Sequence, residues 1–367
     1  MEASVPRDVE GLLAELSEAP GPSGFEGAIR AVVRRELAPL VDEVETDGLG
    51  SLIARRGPAD GHPRIMLSAH MDELGLMVRR ITSEGYVMFQ PLGGWLDQAL
   101  INQRWRILTS QGAVLGVTGI KTVHVMKPEE REKVFKRDSM FIDVGAHDKA
   151  DAEQRLGIRP GDPIAPESSF ASMGGGELYL GKAWDDRIGL GVIIEVMRAL
   201  YEQPARKPNA VYAVATVQEE VGLRGAGTSA HHVAPDVGIN LESGVAGDYP
   251  GISEDEAQER LGGGPAIFLH DSSMLPNLKL RDFVMRVASE AGIELQFNVL
   301  AGYGQDGAAM QQAYSGAPVI NITVPTRYLH SHNSVISRSD FLAAVRLVTE
   351  VVRGLDADTV AELRRFD

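Results

Sequence analysis

The spacing of hydrophobic positions changes character twice along the chain. Residues 8–17 carry apolar side chains at helical spacing and run into the turn-rich stretch Ala19-Pro20-Gly21-Pro22-Ser23-Gly24. A second helix is predicted over roughly 25–40, where Ala28, Ile29, Val32, Val33, Leu37 and Leu40 recur on one face. Asp47-Gly48-Leu49-Gly50 reads as a turn between two short strands, and Arg64 to Ala69 as a buried strand ending at His70. From about 76 to 175 the texture shifts. Short β-prone pieces (Gly85 to Gln90, Trp105 to Thr109, Ala113 to Ile120, Met140 to Val144) alternate there with Gly, Pro and Asp turns, as in a small barrel or sandwich. After Gly181 a strand, loop, helix rhythm returns. A helix is predicted over 187–201, strands over Ala210 to Val217, Val237 to Leu241 and Pro318 to Val324, and a helix around 338–355. This alternation predicts an α/β fold, a mixed sheet with helices on both faces, built from 1–75 and 176–367. A small β-barrel domain, 76–175, is inserted into it. The Gly-rich stretch 243–264 reads as a loop over the site.

A chain of 367 residues exceeds what one core usually fills, which agrees with two structural units. Its 36 basic against 51 acidic residues give a net charge of -15, which repels phosphate backbones and anionic lipid. Neither nucleic acid nor a membrane is expected as a partner. There is no cysteine, so any metal must be held by His, Asp and Glu, a donor set suited to zinc, cobalt or manganese. The charged segment Met1 to Glu10 has no apolar signal core, and no run of about 18 apolar residues occurs. Together with the missing cysteines, this fits a cytoplasmic protein.

Acids and imidazoles gather at the ends of the predicted strands. His70 and Asp72 follow one strand, Glu219 and Glu220 a second, Glu242 a third, and His330 lies shortly past a fourth. In open α/β sheets the crevice at the carboxyl ends of the strands is where ligands bind. His-x-Asp at a strand end lets a carboxylate sit behind the imidazole and fix its tautomer, as metal ligands commonly require. Plainer readings exist for each residue. His70 also suits an interior hydrogen-bonded histidine, Glu219-Glu220 a solvated acidic pair, and His330 beside His332 surface polarity. Asp185-Asp186-Arg187 also suits a helix N-terminus, where acids complement the dipole. His62, His124, His147, His231, His232 and His270 have no comparable context.

Five segments sharpen the picture: Gly21-Pro22-Ser23-Gly24-Phe25-Glu26, His70-Met71-Asp72-Glu73-Leu74-Gly75, Gly181 to Arg187, Val217-Gln218-Glu219-Glu220-Val221-Gly222 and Arg327-Tyr328-Leu329-His330-Ser331. In order and spacing they resemble the tetrahedral aminopeptidases of metallopeptidase family forty-two, which include glutamyl, leucyl and lysyl aminopeptidases and some relatives labelled endoglucanase. The resemblance implies a zinc-aminopeptidase-like enzyme with two divalent ions, zinc or cobalt, with manganese a further option. His70 and Glu242 would hold one ion, Glu220 and His330 the other, and Asp185 would bridge them. Asp72 would support His70. Glu219 would act as general base on a water shared by the metals. Segment 76–175 would mediate dimer contacts, and dimers would assemble into a tetrahedral dodecamer acting on peptides. Three positions depart from the family pattern: Glu242 where Asp is usual, Gln305 where Thr is common, and Ser334 where Glu often stands. Asp248 competes with Glu242 for the fifth ligand, but it lies in the Gly-rich loop, a poor platform for a ligand.

Two other functions compete with an aminopeptidase. A related dinuclear amidohydrolase on N-acyl amino acids would use the same metals. A glycosidase needs two carboxyls about 5 to 10 Å apart on one sugar. Neighbours such as Glu219 and Glu220 point to opposite sides in an extended chain, and an aromatic content of 6% gives no sugar platform.

Overall fold

Four apolar strands run parallel through the centre of the computed structural model, which describes residues 8–203 and 209–366. Ala210–Thr216, Arg64–His70, Val237–Val245 and Val319–Arg327 lie side by side in that order. All seven residues of Ala210–Thr216 are buried. Such unbroken apolar runs belong to strands covered on both faces. Alternate side chains divide accordingly. Ile65, Leu67, Val211 and Ala213 enter the larger core with Ile188 and Val192 of helix Trp184–Glu202 and Phe341 and Leu347 of helix Arg338–Gly354. Met66, Tyr212 and Val214 enter a smaller core with Ala230 and Val233 of helix Arg224–Val233 and Met310 of helix Gly307–Gln311. Helices thus cover both faces of a mixed sheet, as the alternation predicts. Among the described residues the sheet has eleven strands; antiparallel strands, including Glu43–Thr46 and Ala171–Met173, form its margins.

The β-rich insertion forms a closed six-stranded antiparallel barrel. Its strands, in order around the barrel, are Gly75–Ile81, Val87–Leu92, Phe141–Asp143, Gly112–Gly119, Arg104–Thr109 and Pro163–Pro166. Pairing of Leu76 with Ile164 closes it. Leu76, Val78, Val87, Trp105, Ile107, Ile142 and Ile164 fill the interior.

Two helices were not anticipated from the sequence, although Leu280, Phe283, Val284 and Val287 do recur at helical spacing in the second. Arg224–Val233 buries only small or short side chains, Gly225, Ala226, Ser229, Ala230 and Val233, so it lacks a bulky apolar stripe. Leu278–Ala291 is defined by its ends. The Asn277 side chain accepts from the Leu280 N–H (2.9 Å), and Gly292 closes the helix at φ 63°. The charged segment Met1 to Glu10 falls outside the described residues as far as Arg7. No helix among the described residues is long and apolar enough to cross a membrane.

One buried acid sets a pH dependence. Glu259 is 1% exposed and presses against Gly244, where no Cβ fits. Its Oε1 accepts from Asn298 Nδ2 (2.8 Å) and Thr323 Oγ1 (2.9 Å), while burial pushes its carboxyl up to about 7. The folded-state value lies above the ordinary 4.5, so the native chain binds this proton more tightly than the unfolded chain. Its contribution to stability is therefore fully present below about pH 4.5 and lost as pH rises through about 7, on the order of 3 kcal/mol. Glu259→Gln should flatten this part of the profile. Urea midpoints at about pH 5 and about pH 8 would check it, since an equal drop in wild type and variant contradicts the assignment.

Candidate metal centre

His70 closes the strand Arg64–His70 with its side chain 1% exposed. Its Nδ1–H donates to the main-chain carbonyl of Asp72 (2.8 Å), which turns Nε2 toward a group of acids. Asp185 Oδ1 lies 3.0 Å from Nε2, Glu242 Oε1 3.6 Å and Glu219 Oε2 3.9 Å. Read from the sequence, Asp72 supports His70 with its carboxylate. In the fold the closest support is its main-chain oxygen, and the carboxylate lies 3.6 Å from Nδ1. That carboxylate accepts from Ser23 Oγ (2.7 Å) and from the main-chain N–H groups of Glu219 (2.9 Å) and Glu220 (3.2 Å). Asp72 therefore holds the turn that presents the two glutamates.

That turn is not extended chain, because Gln218 sits in the left-handed region at φ 57°. Glu219 and Glu220 do not diverge as extended neighbours would. Glu219 approaches His70, and Glu220 Oε2 lies 3.8 Å from His330 Nε2.

The two aspartates separate in role at the entry to helix Trp184–Glu202. Ala183 precedes it at φ 56°, and the dihedrals become regular only from Arg187, where the periodicity predicts the helix to begin. Asp186 accepts from the N–H groups of Gly189 (3.0 Å) and His70 (3.2 Å), so it caps the helix and pins the end of the neighbouring strand. Asp185 faces the crevice. Its Oδ1 lies 3.0 Å from His70 Nε2 and its Oδ2 3.3 Å from His330 Nε2.

Glu242 is not past the end of its strand, contrary to the predicted boundary at Leu241. The strand continues through Val245 because its parallel pairing with Val319–Arg327 persists as far as Val245 opposite Thr326. Glu242 is 2% exposed inside it. Asp248 is engaged elsewhere, with Arg327 Nε donating to its Oδ1 at 2.8 Å. His330, also left-handed at φ 56°, donates from Nδ1 to the carbonyl of Gly94 in the barrel (2.8 Å). Ala183, Gln218 and His330 are all bulkier than the glycine this region favours, and backbone strain of this kind concentrates at functional sites. His62, His231 and His232 bond to Asp236, the Gly227 carbonyl and Glu45, outside this group.

The electrostatics are those of a site short of positive charge. Burial raises Glu220 to about 8, with the nearby Asp185 adding to it, and burial also raises Glu242 to about 8 and Glu219 well above its ordinary value. Burial alone would lower His330, but Asp185 and Glu220 lift it to about 10. Asp185, despite burial, is held far below the usual range by hydrogen bonds to His330 and His70. A cation fits this environment. Two groups, His70 with Asp186 and Glu242, and His70 with Asp185 and Glu220, each bring ligand atoms within 4.8 Å of one another. Every donor is N or O, and buried Glu220 Oε1 has no hydrogen-bond partner among the described residues.

Several neighbours escaped the sequence reading. Tyr303 donates its hydroxyl to the Ser243 carbonyl (2.9 Å), Asp306 accepts from Thr216 Oγ1 (2.5 Å), and Gln305 is fully buried with both amide atoms unpartnered among the described residues. Only the family pattern around 302–307 singled out that loop. Ser334, another departure from that pattern, lines a recess of about 20 Å³ beside Asp185, Glu220 and His330, with Leu74, Trp95, Pro166 and Ala183.

Known proteins share this architecture. Residues 50–347 match the family model described as M42 glutamyl aminopeptidase. The lysyl aminopeptidase of Pyrococcus furiosus is 35% identical over 356 residues, covering 94% of this chain and 96% of the relative. The TET aminopeptidase of the marine sediment archaeon Thaumarchaeota archaeon SCGC AB-539-E09 superposes with a TM-score of 0.94 at 43% identity, covering 97% of this chain and 98% of that one. The Pyrococcus horikoshii TET1 peptidase, which can assemble into a tetrahedron or a large octahedral shell, gives a TM-score of 0.85 at 30% identity over 95% of this chain and all of its own. With this extent of likeness, the chain belongs to the M42 glutamyl aminopeptidase family and is an aminopeptidase, a hydrolase of peptide bonds.

Proposed function

We propose that the chain removes N-terminal residues from peptides with the help of two divalent cations. The observation that carries this is Asp185, whose two oxygens reach two separate imidazoles at 3.0 and 3.3 Å. His70 and Glu242 would hold one ion, Glu220 and His330 the other, and Asp185 both; zinc or cobalt suits the donors best. Bound there, the ions supply Lewis acidity that acidifies water and offsets charge on the peptide carbonyl oxygen. Glu219 is the general base. Burial raises its proton affinity, so in its ionised form it takes a proton from water and delivers it to the leaving amine. Asp72 acts through the main chain, fixing where Glu219 points.

Segment 76–175 serves as the dimerisation domain of a closed homo-oligomer. The assembly of the Pyrococcus horikoshii TET1 peptidase supports this reading. Chromogenic aminoacyl substrates with free amines should be cleaved, and their N-acetylated forms and chromogenic glucosides should not. Light scattering on the same active preparation should give a mass far above the 39.6 kDa chain. Preferential cleavage of the acetylated forms, or an active monomer, would overturn the respective part.

A further inference from the structure

His330 takes its orientation from the barrel and not from its own domain. No carboxylate stands behind its Nδ1 among the described residues. The group that accepts from it is the Gly94 carbonyl, 236 residues away in sequence. The partner on the far nitrogen of a ligating histidine sets its tautomer and ring orientation, so whatever holds Gly94 in place also tunes His330.

We propose that Arg137 is a positioning residue for the cation held by Glu220 and His330, acting through the main chain of Gly94 and Trp95. The inference rests on the metal-centre reading above. Arg137 Nη2 donates to the Trp95 carbonyl (3.0 Å), one peptide beyond the carbonyl that His330 uses. Arg137 is itself fixed by Asp97, which accepts from its Nε at 2.5 Å and from its main-chain N–H at 3.0 Å. A guanidinium fork spans a carboxylate and a carbonyl together. The bond ties together two neighbouring barrel strands, since Arg137 shortly precedes Phe141–Asp143, Trp95 follows Val87–Leu92, and these strands pair at Val87 and Ile142.

The turn needs such a clamp. Gly93 and Gly94 are consecutive glycines, and Gly93 sits at φ 86°. A Cβ on Gly93 would come 2.1 Å from Leu74 and 3.3 Å from Glu220, so the same turn also rests against the second ligand of that cation. On the far side, Trp95 is anchored by its indole N–H on the Gly75 carbonyl (3.0 Å) and packs on Trp105 and His332 with ring centroids 5.5 Å away in each case. Just past the two glycines and the anchored indole, Arg137 fixes the Trp95 carbonyl by a charge-assisted hydrogen bond. His70 differs, because its Nδ1 partner is the main-chain carbonyl of Asp72 at its own strand end and not a residue of the barrel.

The test uses metal-free protein titrated with cobalt, followed by calorimetry and visible absorption. Wild type should bind two ions, with His330→Ala marking the site it serves. Arg137→Ala should weaken that site by about tenfold and leave the other unchanged, the scale seen when a ligand's orienting partner is lost. Asp97→Ala should do the same, and the double variant should add little, because both residues act through one clamp. Arg137→Lys should not restore affinity, since a point charge cannot span both acceptors. Arg137 is 37% exposed, so its replacement leaves the barrel core intact. Two unchanged sites in Arg137→Ala, or equal weakening of both, would overturn the positioning role. A wild-type stoichiometry below two would overturn the metal-centre reading as well, which separates the two failures.

Discussion

Glu219→Gln should slow peptide hydrolysis by about 10²–10⁴-fold while the protein keeps both cations, the usual contribution of a general base. The amide matches the carboxylate in shape but cannot take up a proton. The turn should survive, because Asp72 grips the main-chain N–H groups of residues 219 and 220 and not their side chains. Glu220→Gln should behave differently. Its Oε2 lies 3.8 Å from His330 and its Oε1 is buried without a partner, so a neutral amide there weakens the cation that His330 shares. The second variant should lose metal first and activity as a result. Elemental analysis beside turnover separates the cases, and swapped phenotypes would reverse the two assignments.

Stripping divalent ions with a chelator should abolish activity, and cobalt or zinc should restore it at about two ions per chain. Without cations, Glu220 and Glu242 sit near 8, so bringing their negative charge together near neutral pH costs free energy that bound ions offset. The stripped enzyme should therefore also melt earlier. Each site filled at about 100 times its dissociation constant stabilises the native state by about 2.7 kcal/mol. Glu242→Ala should lose one ion. Asp248→Ala should lose none, because its carboxylate is already committed to Arg327. Chelator-insensitive hydrolysis would end the mechanism, and loss of an ion only in Asp248→Ala would move the ligand.

Most of the sheet was legible because burial on both faces leaves long apolar runs, as in Ala210–Thr216 and Arg64–His70. Their ends marked where His70 and the Glu219–Glu220 turn lie. The end of Val237–Val245 was hidden, since Ser243 and Gly244 read as the start of a loop while pairing continues beneath them. Nothing in the local sequence gives Gln218 its left-handed backbone, so the approach of both glutamates to the imidazoles was not legible either. The capping by Asp186 was foreseeable from its place ahead of a helix. The Gly94 contact was not, because no periodicity links a barrel turn to a histidine 236 residues later.

The barrel enters and leaves the larger domain side by side, since Leu76 at its start pairs with Ile164 at its end. Such an insertion needs no rearrangement of the host, and a short linker spans its two ends, as in tolerated grafts in other proteins. An engineer seeking a smaller catalyst would find the excision easy to draw and costly to make. The cut would remove the carbonyl that orients His330, along with the wall beside Glu220. The module that reads as an accessory has become, through one carbonyl oxygen, inseparable from its host.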